Sequence, residues 1–359
     1  MRILHIGEYA KGGVATYLEE VINFQQDKFG KENIYLAVSD YNSEPFSFMP
    51  NQNIKRYLYT RSLINLLFLP KKLKIIVESV NPDIVHLHST FAGVAFRLLK
   101  KSKKWKVIYT PHGWAFNQET SNWKKNIYAL AEKALAIRTD MITDISKFEM
   151  LTAIERKIDK NKITLIYNGI SDKKKKGNNP NFIVNSQKIN LLFIGRFDKQ
   201  KGLDILINFF SNYKTDQIDL YVIGESVISK ETEFLYPDNV YFIGKVDNSL
   251  IDEYIQKVDA LIIPSRWEGF GLVAIEAMRN KKPAIVSNRG ALPEIALNNR
   301  YGYVFDLNDL KTLENILDNL SKEQLFDMGE KSYKRFLELF TSKKMNESIV
   351  ELYQKLLKR

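Results

Sequence analysis

Two glutamates eight positions apart, Glu268 and Glu276, bracket Gly269-Phe270-Gly271-Leu272 just after the apolar run Ala260–Ile263. A strand that enters a glycine loop and then a helix lets a phosphate approach backbone N–H groups, and the helix dipole favours its charge. Glu268 precedes that helix, and Glu276 falls on its second turn, roughly 12 Å further along if the whole stretch were helical. Carboxylates so spaced suit opposite ends of one extended ligand better than a shared metal ion. A second cluster, Gly195-Arg196-Phe197 followed by Lys199-Gln200-Lys201-Gly202, closes another apolar run and opens another helix. Arg196 offers a planar fork and Lys201 a point charge, at the strand edge where α/β proteins bind ligands. Such cations act most strongly on a diphosphate that develops charge as it departs. Gly12-Gly13 follows the first apolar run, and His112 stands in Thr110-Pro111-His112-Gly113 after another. His86 and His88 alternate on a strand, at least one of them reads as packed structure, and a metal site is rejected because no third ligand lies nearby.

These residues need strands and helices in alternation to hold them, and the chain supplies both. Strand candidates in the first half are Arg2–Ile6, Asn33–Val38, Asp83–His88, Lys106–Tyr109, Met141–Asp144 and Ile163–Tyr167. Val14, Tyr17, Leu18, Val21 and Ile22 recur at helical spacing between the first two. The rhythm stops at Ser171–Gln187, which reads SDKKKKGNNPNFIVNSQ and suits a linker. It resumes with strands at Ile189–Ile194, Asp219–Ile223, Val240–Ile243, Ala260–Ile263 and Ala284–Val286, and helices at Leu203–Tyr213, Ser249–Lys257 and Leu272–Asn280. The expectation is an α/β protein with two doubly wound, Rossmann-like domains facing across a cleft. The boundaries are 1–170, a linker at 171–187, a second domain at 188–340, and a last helix at 341–359. Met345, Ile349, Leu352 and Leu356 share one face of that helix, which is expected to fold back on the first domain.

The motif Glu268-x7-Glu276 with its Gly-Phe-Gly resembles the signature of glycosyltransferase family 4, whose members are retaining enzymes of the GT-B fold. The resemblance implies that Glu268 contacts sugar hydroxyls and Glu276 the ribose of a nucleotide. It implies that the Gly269–Leu272 backbone and Gly195 hold the donor, and that Arg196 and Lys201 stabilise the leaving diphosphate. Gly12-Gly13 corresponds to the N-terminal donor or acceptor loop, and His112 to a histidine that hydrogen-bonds the donor sugar. The chain reads His-Gly where many relatives have His-Asp, so any role of that aspartate is absent. Asn168-Gly169 is similar to the family's hinge and reads as structural. The donor implied is a nucleotide-diphosphate sugar, with UDP the commonest nucleotide, and no metal or other cofactor is expected.

Other chemistries lack their residues. There is no Asp-x-Asp to hold a divalent ion, no P-loop, no dinucleotide G-x-G-x-x-G after the first strand, and no G-x-S-x-G. With no cysteine, thiolate catalysis and disulfides are excluded, and a reducing cytoplasm fits. The first six apolar residues are too short for a signal peptide and read as a strand. The net charge of +11 is uneven: residues 1–170 hold 25 Lys+Arg against 16 Asp+Glu. Lysines at 100, 101, 103, 104 and 106 around Trp105, and Lys71, Lys72 and Lys74 after the apolar run Leu63–Leu69, suit an anionic bilayer. The expected partner is therefore a glycan or polyprenyl-diphosphate-linked acceptor at the inner face of the membrane, and not nucleic acid, for which no motif exists. Two other functions share this architecture, a UDP-sugar 2-epimerase and a non-catalytic partner subunit.

Overall fold

The computed structural model describes residues 1–9, 12–41, 43, 46–60, 63–99, 102–174, 182–225 and 237–358. Lys100, Lys101 and residues 175–181 of the expected linker lie outside them. The chain forms two compact units, Met1–Ile170 with Ser342–Arg359, and Ser171–Thr341.

The first unit carries β1 (Ile3–Gly7), β2 (Ile34–Ser39), β3 (Ile54–Tyr57), β4 (Ile84–His88), β5 (Lys106–Thr110), β6 (Met141–Asp144) and β7 (Ile163–Leu165). They pair in parallel in the order β3-β2-β1-β4-β5-β6-β7. Parallel strands are covered on both faces, which is why their residues read as nearly continuous apolar runs. Helices α1 (Gly13–Phe29), α2 (Leu63–Val80), α3 (Thr90–Arg97), α4 (Asn122–Leu135) and α5 (Lys147–Glu155) connect them. Leu69, Leu73, Val77 and Val80 of α2 are buried, so the helix is held by packing although Pro70 removes one backbone donor from its interior. Between α3 and α4 a buried ion pair, Arg97 to Glu132 at 2.7 Å, is capped by the Tyr109 ring lying 3.8 Å from the guanidinium.

The second unit carries β8 (Ile189–Ile194), β9 (Ile218–Ile223), β10 (Val240–Gly244), β11 (Ala260–Ile263), β12 (Ala284–Ser287) and β13 (Gly302–Phe305), in the order β10-β9-β8-β11-β12-β13. Its helices are α6 (Leu203–Asn212), α7 (Ile251–Lys257), α8 (Leu272–Arg279), α9 (Leu292–Ala296), α10 (Lys311–Asp318) and α11 (Lys322–Leu339). The end of the expected linker belongs to this unit. Phe182 is buried against Tyr221 and Tyr254, and its carbonyl accepts from Lys257. An aromatic anchor of that size outweighs the polar residues around it.

The last helix, α12 (Ser342–Leu357), returns to the first unit. Met345, Ile349, Leu352, Tyr353 and Leu356 are buried in one cluster with Tyr17, Leu18, Val21 and Ile22 of α1. The backbone of Ser342 donates to Ile170, and the Asn346 side chain donates to the carbonyl of Glu20.

In both sheets the strand order reverses beside the first strand, between β1 and β4 and between β8 and β11. Loops leaving the carboxyl ends of such a pair diverge to opposite faces and leave a crevice, where α/β proteins take their ligands.

Candidate active site

At the β8/β11 reversal, the loop after β8 carries Gly195, Arg196 and Lys201, and the loop after β11 carries Glu268. Lys201 Nζ lies 2.6 Å from Glu268 Oε2, with both side chains largely buried. Ser265 Oγ stands 3.4 Å from the same carboxylate oxygen. Two glycines make this approach possible. Gly202 begins α6 in the left-handed region (φ 74°), and a Cβ there would lie 2.3 Å from the Pro264 carbonyl oxygen. Gly290 (φ 59°) lies so close beneath Glu268 that a Cβ would come within 1.9 Å of its carbonyl oxygen, which Ala291 N–H holds at 3.1 Å. Two neighbouring loops thus pack against the backbone of the stretch that carries Glu268. An alanine at either glycine would have to displace a carbonyl.

Arg196 belongs to the same loop but not to the same contact. Its guanidinium pairs with Asp198 at 2.9 Å, reaches Gln200 Oε1 at 3.3 Å, and its side chain is 61% exposed. Gln200 in turn donates to the carbonyl of Trp267, and Arg266 pairs with Asp204, so the two loops are cross-linked around the Lys201–Glu268 pair.

Helix α8 starts at Leu272 with Gly271 in the left-handed region, and no side chain caps it. Its first-turn amides can therefore meet an anion. Only the stretch from Leu272 onward is helical, so the rise estimated across Glu268–Glu276 applies to its last five residues. Gly269, Leu272 and Glu276 are half-buried, and Gly271 is buried. The Phe270 side chain is packed against Phe340 in the core, so this residue can offer a ligand only its backbone.

In the first unit, Gly12 (φ 59°) precedes α1 without any side-chain cap, and Gly13 is the helix's first residue. A Cβ on Gly12 would meet nothing within 4 Å among the described residues. His112 follows β5 with φ 56°, a conformation that a non-glycine residue adopts at a cost. It is half-buried, its ring meets Tyr17 edge-on at 4.6 Å, and burial holds its pKa down to about 3.

The expectation that His86 and His88 have no third partner is corrected by strand pairing. The parallel register sets His5 of β1 opposite His86 of β4, and ring nitrogens of His5, His86 and His88 lie within 4.8 Å of one another. All three are fully buried; His5 Nδ1 meets His88 Nε2 at 2.9 Å, His88 Nδ1 meets His112 Nε2 at 3.0 Å, and His86 bonds Tyr353 and Thr110. Gln25 of α1 and Tyr353 of α12 complete the cluster. The only sequence signal for these partners is a polar residue in an otherwise apolar strand or helix face.

Comparison with known proteins agrees with this architecture. Residues 11–174 match the model described as Glycosyltransferase Family 4, and residues 174–338 that of Glycosyl transferases group 1. An uncharacterised 41.2 kDa protein of the cps region of Klebsiella pneumoniae is 36% identical over 335 residues, covering 89% of this chain and 90% of its own. The O-antigen biosynthesis glycosyltransferase WbnH of Escherichia coli is 27% identical, covering 80% of this chain and 81% of its own. Among solved structures, Anabaena HepE in complex with UDP superposes with a TM-score of 0.80 at 17% identity, covering 99% of this chain and all of the other. The fold is GT-B, and the chain belongs to glycosyltransferase family 4.

Proposed function

We propose that this glycosyltransferase moves a sugar from a UDP-sugar to a lipid-linked glycan acceptor in the synthesis of a bacterial surface polysaccharide, with retention at the anomeric carbon and without a metal ion. The observation that carries the reading is the Lys201–Glu268 pair at the β8/β11 reversal, beside the uncapped start of α8. Cation and amides together suit a diphosphate, and a carboxylate beside them suits sugar hydroxyls. Relatives support the rest: WbnH is named for O-antigen biosynthesis, and HepE was solved with UDP.

The reaction breaks the bond between the anomeric carbon and the diphosphate oxygen, and forms one to the acceptor hydroxyl on the same face. The leaving diphosphate takes the hydroxyl proton, so no side chain need act as nucleophile. Lys201, Arg196 and the α8 amides balance the charge that accumulates on the diphosphate, which Asp-x-Asp and a divalent ion would otherwise do. Glu276 is assigned to the ribose and His112 to the sugar.

Thermal shift with UDP, GDP, ADP, NAD and nucleotide sugars, without added metal, tests the donor. UDP compounds at 100 times Kd are expected to add about 2.7 kcal/mol of stability. A shift that appears only with Mg²⁺ or Mn²⁺ contradicts metal independence, and a shift by NAD alone contradicts the donor class.

The acceptor side rests on the surface of the first unit. Along α4, Trp123, Ile127 and Leu130 are 54–68% exposed in one stripe, opposite buried Ala129 and Glu132, with Lys124 and Lys133 beside them. Leu67, Phe68 and Ile75 of α2 are exposed near Lys71, Lys72 and Lys74. Trp105, by contrast, packs against the core, so the aromatic expected at the lysine run is replaced by Trp123. Each cation near an anionic surface contributes about 1 kcal/mol. In flotation, the protein is expected to rise with phosphatidylglycerol vesicles and not with phosphatidylcholine, and W123S/I127S to weaken it. Equal binding to both vesicles, or to neither, removes the membrane from the reading.

A further inference from the structure

All four histidines of the chain meet in the first unit, His5, His88 and His112 in one hydrogen-bonded file and His86 in ring contact with His88. Three links run in series: Gln25 Oε1 to His5 Nε2 at 2.8 Å, His5 Nδ1 to His88 Nε2 at 2.9 Å, and His88 Nδ1 to His112 Nε2 at 3.0 Å. A neutral imidazole has one N–H and one lone pair, so each link dictates the next. The Gln25 carbonyl oxygen can only accept, so His5 donates from Nε2 and must accept at Nδ1. His88 then donates from Nε2 and accepts at Nδ1, and His112 donates from Nε2. Its Nδ1 is left with a lone pair, and it has no hydrogen-bond partner among the described residues.

The other end of the Gln25 amide gives the same orientation. Its Nε2 donates toward Tyr353 Oη at 3.5 Å, Tyr353 donates to His86 Nδ1 at 2.5 Å, and His86 Nε2 donates to Thr110 Oγ1 at 2.7 Å. Thr110 hands the chain to Thr143. Every ring nitrogen of His5, His86 and His88 is occupied in this way. The file holds no charge. Burial lowers His5 to about 4 and His112 to about 3, takes His86 and His88 well below the ordinary range, and raises the facing phenols of Tyr17 and Tyr353.

We propose that Gln25, His5 and His88 are positioning residues that lock His112 as its Nε2–H tautomer, so that Nδ1 accepts a hydrogen bond from a sugar hydroxyl in the transfer reaction. This deepens the reading above and rests on His112 lying at the sugar. A wrong tautomer would present an N–H to the same hydroxyl and turn an acceptor into a competing donor.

Histidine-selective ¹⁵N labelling with two-bond ¹H–¹⁵N correlation reads the tautomers directly, and only four residues contribute. All four are expected as Nε2–H at pH 7.5, unchanged by EDTA. Any of His5, His88 or His112 found as Nδ1–H, or lines that change when metal is chelated, overturns the relay. Gln25→Leu is expected to mix the tautomers of His112 and lower kcat about tenfold with little change in donor KM. Gln25→Glu, which keeps an acceptor at His5 Nε2, is expected to restore both. A folded Gln25→Leu protein with unmixed tautomers and full turnover refutes the positioning role. Full activity in His112→Ala with the wild-type tautomers of His5 and His88 intact would instead remove His112 from the sugar and leave the relay standing.

Discussion

Replacing Lys201 by alanine is expected to lower kcat by about 10²–10³-fold, the usual effect of removing one preorganised charge from a developing oxyanion. The loss should fall on turnover because the ammonium matters most when the diphosphate carries its full charge. In the resting protein it is neutralised by Glu268, 2.6 Å away. Its stem packs against Gly195, where a Cβ would lie 3.3 Å from Lys201 Cγ, so the side chain enters the site from a fixed direction. Stability should fall as well, since removing one partner of a largely buried ion pair leaves the Glu268 carboxylate without its cation. Arg196→Ala should cost less, because that guanidinium is 61% exposed and already paired with Asp198. Initial rates with the nucleotide sugar chosen by thermal shift, together with melting curves, check this. Wild-type turnover in a folded Lys201→Ala protein would place the leaving group elsewhere.

The residues of the second unit were legible because each group is local in the chain. Arg196 and Lys201 are five apart, Glu268 and Glu276 eight apart, and in each case a strand, a glycine and a helix stand in order along the sequence. What the sequence does not display is that Lys201 and Glu268, 67 positions apart, touch, since the contact depends on Gly202 and Gly290 admitting carbonyl oxygens. The two sheets were readable from their central strands. The edge strands β3 and β13 were not, because Ile54-Lys55-Arg56-Tyr57 and Gly302-Tyr303-Val304-Phe305 are only partly buried and lack a continuous apolar run. Helix α2 was hidden by Pro70, which ordinarily ends a helix. The histidine file was invisible for a different reason. Its links join positions 20, 24 and 83 apart, and one bond runs from Gln25 to Tyr353. Only parallel pairing of β1 with β4 and the return of α12 bring them together.

That same file makes the first unit acid-labile, and this is the largest effect of pH expected. Burial depresses all four imidazole pKa values, to about 4 for His5 and about 3 for His112, and well below the ordinary 6.5 for His86 and His88. Above pH 6.5 these histidines are neutral in both the folded and unfolded chain and do not alter stability with pH. Below it the unfolded chain takes up protons that the folded unit refuses, so stability falls as pH falls, at about 1.4 kcal/mol per pH unit for each histidine. Four together have a limiting slope of about 5.6 kcal/mol per unit, against a typical domain stability of about 5–15 kcal/mol. One group opposes them. Burial raises Asp144 well above its ordinary 3.8, so between that value and its folded pKa the native unit holds a proton the unfolded chain lacks. One proton against four reduces the slope without reversing it. The second unit contains no histidine and serves as an internal control. Urea unfolding between pH 7.5 and 5 should therefore show one transition moving to lower urea as the unfolded first unit takes up protons, while the other stays in place. Two transitions that shift together, or a first unit indifferent to pH down to 5, would mean that the histidines are not held neutral by burial. The relay would then lack the neutral imidazoles on which its fixed tautomers depend.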